Sequence, residues 1–339
     1  MSEQVQAGDQ RRRVPIRERA LRVDDLIVID GHRAQREALS RRLREGGYSL
    51  HSTAHFLVAE RQEEPRRLLV HFLRPQELDA DLGACFLEEL RAPGLLATPD
   101  DLARLFAGVV GSFAPTDPVA AWRRYAENTL QRYRQLLNRQ VSVPPASSFQ
   151  AQRPVTVFAS LYRRVCALVC QEPATADGTL LDAGCSSGFL PLLLAEHCPR
   201  LKAIVGLDLR PDVFLTAQQL ARERGWSQVR YVQADLLEAR EMAALGQFDT
   251  VVALHVLEHF GPAEGERVLE HLLAATRRRL IVAVPYEEQP EPVYGHQRVF
   301  TPAHLEELGR RCLERWGLGE RGGRYWCEEC AGGLLVVER

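Results

Sequence analysis

From residue 155 onward, short apolar runs alternate with helix-length amphipathic segments, and this alternation restricts the fold more than any other feature of the chain. TLLDAG, AIVGLDL, VRYVQADL, DTVVALHV and LIVAVPY are rich in Val, Ile and Leu and short enough to be strands. TVFASLYRRVCALVC, GFLPLLLAEHC, VFLTAQQLARERG, ERVLEHLLAATRR and PAHLEELGRRCLERW repeat their apolar residues with a helical period. Strands that are apolar on both faces and separated by helices predict a parallel sheet covered on both sides. RYWC and GGLLVVER then suit a terminal antiparallel pair. The predicted fold is α/β and doubly wound, with a mostly parallel seven-stranded sheet and an antiparallel C-terminal hairpin. Ligands of such a sheet bind beyond the carboxyl ends of its strands.

Residues 140–154, QVSVPPASSFQAQRP, are polar with a Pro pair and a Ser pair, and mark a break. Boundaries follow at 1–140 for an N-terminal α+β accessory region, 141–154 for a linker and 155–339 for the sheet domain. Before the break, DDLIVID reads as a strand and RAQREALSRRLRE as a helix. YSLHSTAHFLVAE and RRLLVHFL read as two more strands, paired across the charged turn RQEEP. Helices are expected over roughly 79–91, 100–113 and 118–139. An accessory region of this kind suits control of access to an acceptor.

Lys and Arg total 43 against 45 Asp and Glu, a net charge of −2, so no global field attracts nucleic acid or anionic membrane. Arg11, Arg12 and Arg13 form a local basic cluster, best read as a solvated arm. No apolar run has the length of a membrane span and the N-terminus lacks a secretory pattern, which predicts a cytoplasmic protein. Eight scattered cysteines predict reduced thiols rather than a disulfide framework. Cys327 and Cys330 have C-x-x-C spacing, but no second pair completes a zinc site.

LLDAGCSSGFLPLLLAE carries the sharpest chemical signal. Asp182 closes the first strand, and Gly184 and Gly188 bracket a turn that leads into an apolar helix. Glycine allows close backbone approach to a ligand, and free N–H groups near Ser186 at the helix start can hold an anionic group. An acid before the first glycine would repel a pyrophosphate but suits a ligand bearing an ammonium. Asp208 ends the second strand, 26 residues after Asp182, where a carboxylate can accept from both hydroxyls of a ribose. Asp235 follows the third strand, where an acid can accept from an exocyclic adenine amine. Three acids at three successive strand ends outline a track for a cationic adenosine derivative.

With LLDAGCSSG, GLDL, ADLLE and FDTVVALHVLEHF in this order and spacing, roughly residues 155–339 resemble the class I S-adenosylmethionine-dependent methyltransferases, which have a Rossmann-like sheet. The resemblance implies S-adenosyl-L-methionine as cofactor. It places Asp182 and Gly184 at the methionine end, Asp208 at the ribose and Asp235 at the adenine, with Ser186, Gly188 and Leu236 also among the cofactor-binding residues. The run SSGFLPLLLAE after a long N-terminal extension is also similar to the oligosaccharide methyltransferases of mycofactocin biosynthesis.

His255, Glu258 and His259 follow the fourth strand, and His296 follows the fifth. Methyl transfer from a sulfonium needs alignment of nucleophile and methyl, and an alcohol nucleophile gains from a base near neutral pH. His255 or His259 is expected as that base, with His296 as acceptor contact or second base. Each histidine has an alternative as a backbone-bonded core residue. The same tract resembles the RNA 3′-end 2′-O-methyltransferases of small-RNA pathways, in which E-x-x-E-H and a later His hold a divalent ion. Glu258, His259 and His296 match that pattern, while His255 replaces its first glutamate. Tyr286, Tyr294 and Arg298 lie on a long loop that is either a lid or an ordinary crossover. Trp122, Tyr125 and Tyr133 either line an acceptor pocket or pack in the core. Thr301 before Pro302 reads as a helix cap.

Three functions follow. The first is an O-methyltransferase acting on a small-molecule or glycan hydroxyl, with a mycofactocin-type oligosaccharide as the sugar case, no nucleic acid and no membrane partner. The second is a metal-assisted enzyme like the RNA 3′-end 2′-O-methyltransferases. The third is a catalytically silent cofactor-binding scaffold.

Overall fold

The computed structural model describes residues 20–32, 34–62, 64–138, 153–170, 177–318 and 322–339. Arg11–Arg13 and most of the expected linker lie outside the described residues.

The C-terminal part is one seven-stranded sheet in the order β11-β12-β10-β9-β6-β7-β8. Its strands are β6 (Thr179–Ala183), β7 (Ala203–Asp208), β8 (Val229–Gln233), β9 (Phe248–Leu254), β10 (Thr276–Val284), β11 (Arg324–Glu329) and β12 (Gly333–Glu338). The first five run parallel, and β12 pairs antiparallel with both β10 and β11. The doubly wound sheet with its antiparallel hairpin is therefore as the sequence predicts. β6 begins a series that runs outward through β7 and β8, whereas β9 starts a second series on its other side. The β6–β9 junction is thus the point of strand-order reversal, where the crevice of such a sheet opens.

Helices α5 (Pro154–Cys170), α6 (Phe189–His197), α7 (Pro211–Glu223), α8 (Ala239–Leu245), α9 (Pro262–Ala275) and α10 (Pro302–Arg315) cover the sheet. Helix α6 is buried continuously from Phe189 to Ala195, because it packs against α5 and β7 on different sides. Thr301 caps α10 by accepting from the His304 N–H at 3.3 Å, with Pro302 in the first turn. Helix α9 stops at Ala275, short of the expected ATRR ending, as Thr276 turns its hydroxyl back onto the Leu272 carbonyl and starts β10.

The N-terminal part is a five-stranded sheet, β1-β2-β5-β4-β3, built from β1 (Ala20–Val23), β2 (Leu26–Asp30), β3 (Ser49–Ser52), β4 (Phe56–Arg61) and β5 (Glu64–His71). β4 and β5 pair antiparallel across the predicted charged turn. YSLHSTAHFLVAE splits into two strands rather than one, because Thr53 N–H bonds to Phe56 O and closes a tight turn. Helix α1 (Arg36–Glu45) follows β2, and α2 (Leu82–Leu90), α3 (Pro99–Ser112) and α4 (Pro118–Leu137) follow the sheet. One hydrophobic core runs from Val28, Phe56 and Leu69 through Leu105, Leu130 and Tyr133 to Leu193, Ile204 and Val336. Tyr133 stacks edge-on against Tyr162 and Phe189, and Tyr125 against Phe106 and Trp122, so these two tyrosines of α4 are packing residues, while Trp122 is half-buried. Around this core, the Asp81 carboxylate caps α5 by accepting from Val155 N–H at 2.9 Å. Arg123 of α4 pairs with Glu223 of α7, and Arg134 with Glu196 of α6.

One expectation needs correction. Cys170 and Cys198 form a disulfide, since α5 and α6 end beside each other with these two Cα atoms 5.3 Å apart. The other six cysteines, Cys327 and Cys330 among them, are free thiols. No described helix is long and apolar enough to cross a membrane.

Candidate active site

Asp182, Asp208 and Asp235 lie at the carboxyl ends of three adjacent strands, β6, β7 and β8. The turn after β6 is built from left-handed residues, with φ of +75° at Gly184, +47° at Ser186 and +71° at Gly188. A β-carbon on Gly184 would fall 2.7 Å from Val256 Cγ2, and one on Gly188 would fall 2.5 Å from Tyr231 Cε1. The two glycines are therefore demanded by both dihedral and contact. Gly184 and Cys185 N–H groups both bond to Leu207 O, which locks the turn to the end of β7.

Asp208 braces the same turn from the other side. One of its oxygens accepts from Ser186 N–H at 2.9 Å and the other from Arg210 N–H at 3.0 Å. Each oxygen keeps a further lone pair for an incoming hydroxyl. Asp182 is nearly inaccessible, and burial, with the Asp208 charge adding, pushes its carboxyl up to about 8. Asp235 accepts from Leu237 N–H at 2.8 Å, which curls the chain beyond β8 around a half-buried carboxylate. Leu236 is buried, and its carbonyl meets His271 Nδ1 at 2.7 Å.

Across the β6–β9 junction stands a second group. His255 follows β9 directly in a left-handed conformation (φ +54°), its N–H bonded to Ala283 O. Glu258 and His259 lie on the 3-10 turn Leu257–His259. His296 is brought alongside by the loop after β10, with its ring 5.0 Å from that of His259. His255 is buried against Phe158, ring to ring at 5.2 Å, and burial together with the other two histidines pushes its imidazole down to about 3. His259 is half-buried, and burial, with His296 adding, lowers its imidazole.

Glu258 is the unusual member of this group. It is fully buried, neither carboxylate oxygen accepts a hydrogen bond among the described residues, and His255 Nδ1, uncharged near neutral pH, stands 3.4 Å away. Burial pushes its carboxyl up to about 8. An orphaned buried carboxylate is costly, and proteins keep one only where something satisfies it. Ligand atoms of Glu258, His259 and His296 all lie within 4.8 Å of one another, close enough to share one ion.

Glu287, which sequence reasoning missed, accepts from His296 Nδ1 at 2.8 Å and is itself buried. It is one acid in the acidic loop YEEQPEP, and nothing in its neighbours marks it out. The bond presents the other ring nitrogen of His296 to whatever lies opposite. Arg298 makes contacts within the protein. Its guanidinium donates to Leu257 O at 3.1 Å and lies over the Phe300 ring. Tyr286 bridges to Phe300, which leaves Tyr294 as the loop aromatic nearest His296, ring to ring at 5.7 Å.

Residues 180–279 match the family described as methyltransferase domain. The chain is 32% identical over 114 residues to the magnesium-protoporphyrin O-methyltransferase of Synechocystis, a match covering 32% of this chain and 46% of that protein. It is 34% identical over 155 residues to the ubiquinone biosynthesis O-methyltransferase of Azorhizobium caulinodans, over 40% of this chain and 58% of that protein. These matches span about half the length of each relative. Among solved structures, magnesium protoporphyrin IX methyltransferase from Synechocystis with bound S-adenosylmethionine is similar at 21% identity, with a TM-score of 0.43, covering 62% of this chain and 90% of that one.

Proposed function

We propose that this chain, a class I S-adenosylmethionine-dependent methyltransferase, moves the sulfonium methyl group onto a hydroxyl oxygen of a small molecule or glycan. The observation that carries the reading is the pairing of His259 and His296 across the crevice from the three strand-end acids. In this reading Asp182 meets the ammonium of the methionine end, Asp208 the ribose hydroxyls and Asp235 the adenine amine, with Leu236 beside the ring. The turn at Gly184, Ser186 and Gly188 brings backbone close to the methionine end.

A sugar hydroxyl is barely acidic, so its oxygen attacks well only as its proton leaves. We assign the base to His259, because an imidazole pushed down as far as His255 holds a proton too weakly to draw one from an alcohol. The new O–C bond forms as C–S breaks, sulfur keeps the electron pair, and the hydroxyl proton passes to the imidazole. His296, oriented by Glu287, contacts the acceptor. An oligosaccharide of the mycofactocin type is the glycan we favour, on the resemblance of SSGFLPLLLAE. Two relatives are O-methyltransferases by name, which supports transfer to oxygen. The test is incubation with labelled S-adenosylmethionine and a panel of oligosaccharides, catechols and short RNAs. Label on a sugar oxygen is the expected result, and label confined to RNA would refute it.

The orphaned Glu258 favours a second reading of the same site. Glu258, His259 and His296 would hold a divalent cation, which would satisfy the carboxylate and make a bound hydroxyl more acidic. Two imidazoles with one carboxylate suit zinc, iron or nickel better than magnesium. Transfer that survives exhaustive chelation would remove this reading and leave His259 as the base.

A further inference from the structure

The loop after β10 supplies His296, yet its anchors belong to the N-terminal part of the chain. Arg91, at the end of α2, meets the Glu291 carboxylate at 2.7 Å. Glu291 is almost completely buried, whereas Arg91 is half exposed. The same carboxylate accepts from Val293 N–H at 3.1 Å, and so caps the 3-10 turn Pro292–Tyr294. The backbone carbonyl of Glu291 accepts from Tyr294 and from His296, each at 3.2 Å.

The rest of the turn is held in the same way. Gly295 has φ of +76°, and a β-carbon there would lie 3.3 Å from Pro99 of α3 and 3.9 Å from His259 Nδ1. Tyr294 reaches α2, its hydroxyl 3.9 Å from where a β-carbon of Gly83 would be. On the far side, Gln297 donates its N–H to Glu258 O at 2.8 Å and its amide to His259 O at 2.6 Å. The turn is therefore clamped between α2–α3 and the Glu258–His259 segment, with His296 at the closing end.

From this we infer that Arg91 and Glu291 are positioning residues for methyl transfer: the N-terminal part, through this ion pair, sets His296 against His259. The inference rests on the reading that His296 serves the acceptor side. It gives residues 20–138 a direct part in assembling the site in addition to any role in acceptor access. A break of the pair takes the Arg91 cation from a buried carboxylate and loosens the tie between α2 and the turn. Displacement of a catalytic-side group by about 1 Å costs on the order of a hundredfold in rate.

The experiment compares wild type, Arg91→Lys, Arg91→Ala, Glu291→Gln and the exchanged pair Arg91→Glu with Glu291→Arg. Amide hydrogen exchange of residues 291–297, S-adenosylhomocysteine affinity, and kcat and KM for whichever panel acceptor wild type methylates are measured on each. Arg91→Ala and Glu291→Gln are expected to speed exchange of the Val293 and His296 amides tenfold or more and to lower kcat ten- to a hundredfold. S-adenosylhomocysteine affinity stays unchanged, because the pair ties α2 to the loop after β10 rather than to the Asp182–Gly188 turn. Arg91→Lys retains most of kcat, and the exchanged pair recovers part of it. Unchanged exchange and kcat in Arg91→Ala and Glu291→Gln would overturn the inference, as would a loss of kcat that only parallels a loss of cofactor affinity. If wild type methylates no acceptor while exchange responds as described, the function has failed and the clamp stands.

Discussion

Asp182 offers the most direct test of how the cofactor is held. Burial, with the Asp208 charge adding, pushes its carboxyl up to about 8. About nine-tenths of the molecules therefore carry the proton on Asp182 at pH 7. If this carboxylate meets the ammonium of the methionine end, binding favours its ionised form and the proton must leave. The α-amine of S-adenosylhomocysteine stands beside its own carboxylate, as in a free amino acid, so it titrates above the range of a chain terminus and is already protonated at pH 7. Net release is then about 0.9 proton per ligand bound. Affinity rises with pH as Asp182 ionises, by roughly fiftyfold between pH 6 and 8. Titration calorimetry at pH 7 in two buffers of different ionisation enthalpy reads the released proton directly. Asp182→Asn should bind more weakly, release no proton and lose the pH dependence. Wild-type binding with no proton release and a flat profile over pH 6–8 would refute the assignment.

The glycine turn makes a stability prediction with an internal control. Gly188→Ala must adopt positive φ and also push Tyr231 and Ala217 aside, at about 2–4 kcal/mol by denaturant unfolding. Gly225→Ala, at φ +69° with nothing within 4 Å, bears only the dihedral cost of about 1 kcal/mol. Equal costs would show that the contact at Gly188 is unimportant. Asp208→Ala removes the ribose acceptor and the brace on Ser186, and should weaken S-adenosylhomocysteine on the order of ten- to a hundredfold by calorimetry. Unchanged affinity would remove Asp208 from the cofactor site. His259→Ala should lower turnover by roughly 10²–10⁴ with S-adenosylhomocysteine affinity retained, and full turnover would exclude it as base.

How far the sequence could be read depended on the range of the interactions involved. The parallel sheet, the strand-end acids and the Gly184–Gly188 turn were legible because each is written in adjacent residues. The Thr301–Pro302 cap is equally local, and it forms as expected. β1 escaped because ALRV is short and becomes a strand only by pairing with β2 at the edge of the sheet. The Cys170–Cys198 disulfide could not be read either, since it depends on two helices ending side by side. Glu287 and Glu291 show the same limit inside the candidate site. In YEEQPEP the acids look alike, yet in space one holds His296 and another faces Arg91, 200 residues away.

That distance bears on how the chain should be divided. The break at residues 140–154 suggests an accessory region that could be removed, leaving an intact catalytic part. The packing argues otherwise. A single core joins β2, β4 and β5 to α6, β7 and β12, and the Asp81 carboxylate supplies the cap at the start of α5. A cut at the linker would expose the buried face of α5 and α6, remove that cap and leave Glu291 without Arg91. Residues 153–339 expressed alone should therefore be poorly soluble or markedly less stable than the full chain, even though they contain every strand of the seven-stranded sheet. If that fragment instead unfolds at the same denaturant concentration as the full chain and exchanges its 291–297 amides no faster, the two parts are independent and the clamp on His296 has no mechanical basis.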